Sequence, residues 1–161
     1  MCPGCSRERS LSCVSRSGDN GPVTYTIDDD PARLDLDVIW TYLSTEAYWH
    51  RWRTRAQVEH QVAGAWRVVG AYDEETGAQV GFARALSDGI CEAYLADVFV
   101  LSDHRGHGLG KALVAAMIDD GPRPELRWTL FTGDAHGLYE QFGFATPDGT
   151  AMVRPGRFPQ I

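Results

Sequence analysis

The sequence predicts an α/β domain in which a mixed sheet is covered by helices on both faces. Short β-branched and aromatic runs alternate with stretches whose apolar residues recur three and four apart. One run, Ile90 to Leu101, is nearly all apolar in its second half, as a strand buried on both faces must be. Directly after it comes a glycine-rich segment, Arg105-Gly106-His107-Gly108-Leu109-Gly110-Lys111, that opens onto an apolar helix-like stretch.

Residues 1–22 are rich in Ser, Gly, Cys and Arg without hydrophobic periodicity, and are expected to form a flexible leader ahead of a domain at 23–161. Val23 to Ile27 is β-branched and aromatic and reads as the first strand. Leu36, Ile39, Trp40 and Leu43 then recur at helical spacing, and a second amphipathic stretch runs from Thr54 to Ala63. Trp66 to Tyr72 and Val80 to Leu86 flank an acidic turn ending in Gly77, as in an antiparallel hairpin. After the glycine segment, Leu109, Leu113, Val114 and Met117 form one helical face that Gly121-Pro122 ends. Leu126 to Thr132 predicts a further strand, Ala135 to Phe142 a short helix, and Met152-Val153 a last strand.

At 161 residues the chain has room for one ordinary domain with a real core. With 43% hydrophobic and 23% charged residues it has a globular composition, and its apolar runs are too short to span a membrane. A net charge of −7 disfavours a nucleic-acid partner and suits small or cationic ones. Cys2 and Cys5 have the spacing of half a zinc knuckle, but Cys13 and Cys91 supply no second pair, so no metal is expected. With no apolar secretory segment at the start, a cytoplasmic location with reduced thiols is expected.

The glycine segment reads as a phosphate cradle, because closely spaced glycines let backbone amides crowd an anion and the following helix adds its unpaired N–H groups. Arg105 and Lys111 add side-chain charge. A nucleotide-triphosphate loop would need glycine where Arg105 stands and Ser or Thr where Ala112 stands. A dinucleotide fingerprint would need glycine at Leu113. What remains, Arg-x-x-Gly-x-Gly through Arg105, Gly108 and Gly110, resembles the acyl-CoA pyrophosphate loop of the GNAT superfamily of N-acetyltransferases. Two further stretches fall in that family's order: Leu95-Ala96-Asp97-Val98-Phe99-Val100 before the loop, and Asp134 to Phe144 after it.

The resemblance implies a GNAT fold with two splayed central strands and acetyl-CoA as co-substrate. It places main-chain groups of Phe99 and Val100 beside the acetyl and pantetheine groups, and the pyrophosphate on Arg105, Gly106, His107, Gly108, Leu109, Gly110 and Lys111. Tyr139 falls where family members commonly carry the tyrosine that protonates the departing thiolate. Asp97, a carboxylate within an apolar strand, is the first candidate for the base and Glu92 the second. His104 and His107 read as the frame of the cradle, and Asp134 and His136 as caps of the last helix. Tyr48, Trp49, Trp52 and Glu46 form a candidate acceptor mouth. The implied activity is acetyl transfer to a primary amine of a small molecule by direct attack in a ternary complex, with a homodimer as a possible assembly. The rival reading is a non-catalytic acyl-CoA-binding or sensing domain.

Overall fold

The computed structural model describes residues 11–14 and 23–157. Six strands form one sheet in chain order: β1 Leu11–Val14, β2 Thr24–Asp28, β3 Arg67–Asp73, β4 Gln79–Ser87, β5 Glu92–Val100 and β6 Arg127–Thr129. Neighbours run antiparallel from β1 to β5, and β6 lies parallel to β5, so the sheet is mixed. Helices α1 Leu36–Thr45 and α2 Arg55–Ala63 precede β3, α3 Leu109–Met117 links β5 to β6, and α4 His136–Tyr139 follows. Asp35 caps α1 by accepting from the Asp37 and Val38 amides, and Thr54 with Gln57 forms a capping box on α2.

Strand alternation sorts the core onto two faces. On one, Ile39, Leu43 and Val58 of α1 and α2 pack over Val68, Phe82 and Phe99. On the other, Leu109, Leu113, Val114 and Met117 of α3 cover Val69, Ala71, Ala83 and Leu95, with Tyr139 at the edge. The helices therefore cover both faces, as the sequence pattern predicts.

Two irregularities of β5 position everything functional. Arg84 lies opposite Ala96 and Phe82 opposite Phe99, so Asp97 and Val98 together face Ala83. This is a β-bulge, with Asp97 in the left-handed region at φ 51°. The extra residue resets the alternation: Leu95, Val98 and Val100 share the α3 face, while Asp97 and Phe99 turn toward α1 and α2. The second irregularity is a gap. β6 pairs with β5 only at Glu92, Ala93 and Tyr94, and β5 then continues to Val100 with β4 alone. This is the splay that the resemblance implies.

Elsewhere the structure corrects the sequence reading. Leu11–Val14, expected within a flexible leader, pairs with β2 and covers what would be an open edge; the rest of 1–22 lies outside the described residues. Residues 151–157 form no strand, and Met152 is 95% exposed. Two apolar residues ahead of Arg154 and Pro155 are too short a run, and proline cannot donate to a ladder. The helix expected over Ala135 to Phe142 is α4 followed by a tighter turn, Glu140–Phe142, that Gly143 ends at φ 79°.

Candidate active site

The cradle begins where β5 ends. A single helical turn, Ser102–His104, is tethered at 3.1 Å between His104 Nδ1 and the buried Tyr25 hydroxyl. Gly106 and Gly108 then take φ 81° and 79°, angles costly for any residue with a Cβ. A Cβ added at either would meet nothing within 4 Å, so these glycines serve backbone angle and open access, not packing. Gly108 is the N-cap of α3 and supplies no side-chain cap. The Ala112 amide makes the helix's first bond, to the Gly108 carbonyl at 3.0 Å. The amides of Leu109, Gly110 and Lys111 come before it and are left for an anion at the positive end of the helix dipole. Leu109 is 1% exposed, so its side chain anchors the cradle to the core.

Arg105 departs from expectation. Its Nε donates to the Val100 carbonyl at 3.0 Å and its Nη2 to the Tyr42 hydroxyl at 3.2 Å, with Glu46 4.0 Å away. The guanidinium thus braces the end of β5 against α1, and among the described residues Lys111 is the lysine or arginine left at the cradle. Phe99 departs too. The Leu101 amide bonds the Val80 carbonyl, so by ladder alternation the pair two residues back, Phe99 with Phe82, also directs its backbone groups into β4. Phe99 contributes its ring, stacked on Tyr42 at 4.0 Å, while Val100 turns its backbone groups away from β4, its carbonyl to Arg105 and its N–H to the gap.

Asp97 is the centre of a buried ion cluster. Its Oδ1 accepts from Trp49 Nε1 at 2.9 Å and Arg53 Nη2 at 3.1 Å; its Oδ2 accepts from Arg53 Nη1 at 3.0 Å and Arg84 Nε at 2.6 Å. Burial pushes the carboxyl pKa up, but the two guanidiniums outweigh it and hold the group below the usual carboxylate range. With four donors on two oxygens, this carboxylate is poorly suited to take a proton from an amine. Arg53 is fixed further by bonds to Gln61 Oε1 and the His50 carbonyl. Sequence reasoning missed both arginines. Their signal was present in Arg84, which interrupts an apolar strand just as Asp97 does.

Tyr139 belongs to the α3-side core that includes Leu109, Val98 and Val100, sets its ring edge-on to Phe144, and is 9% exposed. Burial, reinforced by Tyr48 and Asp134, pushes its hydroxyl up to about 12, so it stays protonated at neutral pH. Among the described residues that hydroxyl makes no hydrogen bond. Glu92, the second base candidate, is exposed at the start of β5, 3.7 Å from Arg127 and five residues ahead of Asp97. Asp134 does not cap α4, whose N-cap is Ala135; it accepts from the Tyr48 hydroxyl at 3.1 Å, and His136 lies within the helix. That bond closes the α1–α2 loop over the segment after β6. Trp49 ties the same loop to the bulge, while Trp52 borders a separate concavity of about 310 Å3 with Arg53 and His60.

A sheet that splays beside a bulge, next to an uncapped helix start beyond the end of the same strand, is the α/β arrangement that the GNAT resemblance implies. The chain belongs to the GNAT acetyltransferase domain family: residues 64–146 match the family's acetyltransferase (GNAT) domain. A GNAT-family acetyltransferase structure from Xanthomonas campestris is 37% identical, with a TM-score of 0.71 over 82% of this chain and 93% of that one. An acetyltransferase-named protein of Gibberella zeae is 28% identical over 54% of this chain and 58% of its own length. An uncharacterized N-acetyltransferase of Gracilaria tenuistipitata is 37% identical over 44% and 40% respectively. The chain thus spans about half the length of these curated relatives. No helix among the described residues is long and apolar enough to cross a membrane.

Proposed function

We propose that the chain is an acetyl-CoA-dependent N-acetyltransferase that acetylates a primary amine of a small molecule by direct attack in a ternary complex. The observation that carries this reading is the continuity of the cradle with the gap. The loop that leaves β5 leads to the free amides of α3, and going back along that strand leads past Val100 to the bulge at Asp97 and Val98.

In this reading the Leu109, Gly110 and Lys111 amides hold the pyrophosphate, and the outward N–H of Val100 pairs with the pantetheine arm as an added strand would. The bound thioester supplies the acyl group. Tyr139, protonated and without a hydrogen-bond partner among the described residues, donates a proton to the leaving sulfur. The amine approaches from the α1–α2 face, because α3 fills the other. Asp97 is a positioning residue that fixes Trp49 and Arg53 of the covering loop. His50 of the same loop is held neutral, by burial first and then by Arg53, and is suited to relay the amine's proton to water.

Acetyl-CoA should raise the melting temperature, and free thiol should be released only when an acceptable amine is present. A thermal shift without turnover across a broad amine panel would overturn catalysis in favour of a sensing domain.

A further inference from the structure

We propose that the acceptor amine carries an anionic group, a carboxylate or a phosphate, held by the two terminal nitrogens of Arg84. The inference rests on the transferase reading for the word acceptor, and on the structure for the site. Arg84 sits in β4 directly opposite Ala96, next to the bulge, and its side chain is 7% exposed. Its Nε is engaged by Asp97 Oδ2 at 2.6 Å. Among the described residues neither Nη atom has a hydrogen-bond or ion-pair partner. Neither Nη atom is sealed from solvent, so the fork of this largely enclosed guanidinium stays accessible, and an oxyanion of matching geometry is the acceptor it suits.

The charge around it agrees. Arg53 and Arg84 face one carboxylate, Asp97, which stays ionised because both guanidiniums favour its charged form. The cluster therefore holds one positive charge that no described side chain neutralises. The other titratable groups facing it are neutral at pH 7: Tyr94, raised by burial and then by Asp97, and His50, lowered by burial and then by Arg53. A ligand anion would complete the cluster, and the bulge that presents Asp97 to the α1–α2 face sets this cluster beside the gap. Outside, the acidic chain attracts the ammonium end of such a molecule; inside, Arg84 takes the anionic end. Zwitterionic amines fit both.

The test uses matched amines with the full-length protein and acetyl-CoA: glycine, β-alanine and γ-aminobutyrate each against its carboxamide, and phosphoethanolamine against ethanolamine. At least one anionic member should exceed its neutral partner by about 10²-fold in kcat/KM, and which pair does so separates carboxylate from phosphate. In Arg84→Gln that ratio should fall toward one, with Arg84→Lys between the two. The same pairs titrated calorimetrically into protein saturated with CoA separate the two readings. Anion-dependent binding without turnover would refute the transferase and keep the subsite. Turnover or binding indifferent to the anion, or a ratio unchanged in Arg84→Gln, would overturn the subsite. The wild-type ratios decide the matter even if Arg84→Gln fails to fold.

Discussion

Replacing Asp97 with Asn separates a structural carboxylate from a catalytic one. The substitution keeps size and one acceptor oxygen, removes the charge, and turns an N–H group toward guanidiniums that now share no anion. Both arginines are nearly buried, at 3% and 7% side-chain exposure, so water screens the loss little. Breaking a buried pair from one side costs about 3–5 kcal/mol, and the retained amide oxygen argues for about 3. For a chain of this size that corresponds to a fall of about 6–12 °C in melting temperature. The sign with pH follows from the lowered pKa of Asp97. A carboxylate whose folded pKa is depressed adds stability above its unfolded pKa, about 3.9, and loses it as pH falls through the folded value. The wild-type and Asp97→Asn curves should therefore lie apart at pH 7 and draw together below about pH 4, as followed by circular dichroism. Well below its melting temperature the variant should keep kcat/KM within about tenfold of wild type, because loss of a general base costs about 10²–10⁴. An unchanged melting temperature combined with a rate loss of about 10³ or more would refute the structural assignment and restore Asp97 as the base.

The remaining expectations can be checked with the same protein. Tyr139→Phe should lower kcat by about 10² while acetyl-CoA binding holds; with the Tyr139 pKa at about 12, the wild-type rate should show no Tyr139 inflection up to about pH 10. An unchanged rate would remove its role. Gly108→Val forces a β-branched residue to φ 79° at the mouth of the cradle and should abolish the acetyl-CoA thermal shift; intact affinity would refute the cradle geometry. Trp49→Phe removes the indole donor to Asp97 and should cost about 1.5–3 kcal/mol in urea unfolding, with wild-type stability counting against that bond's importance.

Much of this was legible because it is written in local pattern. The buried strand, the glycine positions and the apolar stripe of α3 each follow from spacing within about a dozen residues. What was hidden depends on partners distant in the chain. A bulge carries no motif, though the phase slip between Leu95 and Val98 is its trace once the core faces are known. Arg53 reaches Asp97 across 44 residues and Arg105 turns back to Tyr42 across 63, so neither destination can be read from spacing. Charge alone points Arg105 at the anion, but the nearby Val100 carbonyl and the Tyr42 hydroxyl claim it. The supposed last strand failed for the opposite reason, since two apolar residues look like a strand only until their neighbours are weighed.

Three residue pairs stitch β6 to its neighbour, whereas β4 and β5 are laced together along nearly their full lengths. The sheet therefore has a seam, and strand pairing holds the described residues from Arg127 onward at its short closed end, while Tyr48 and Tyr139 hold them by side chains. Whatever molecule lies in the open end works as thread, so tightness of binding and firmness of the C-terminal third of the domain must rise and fall together.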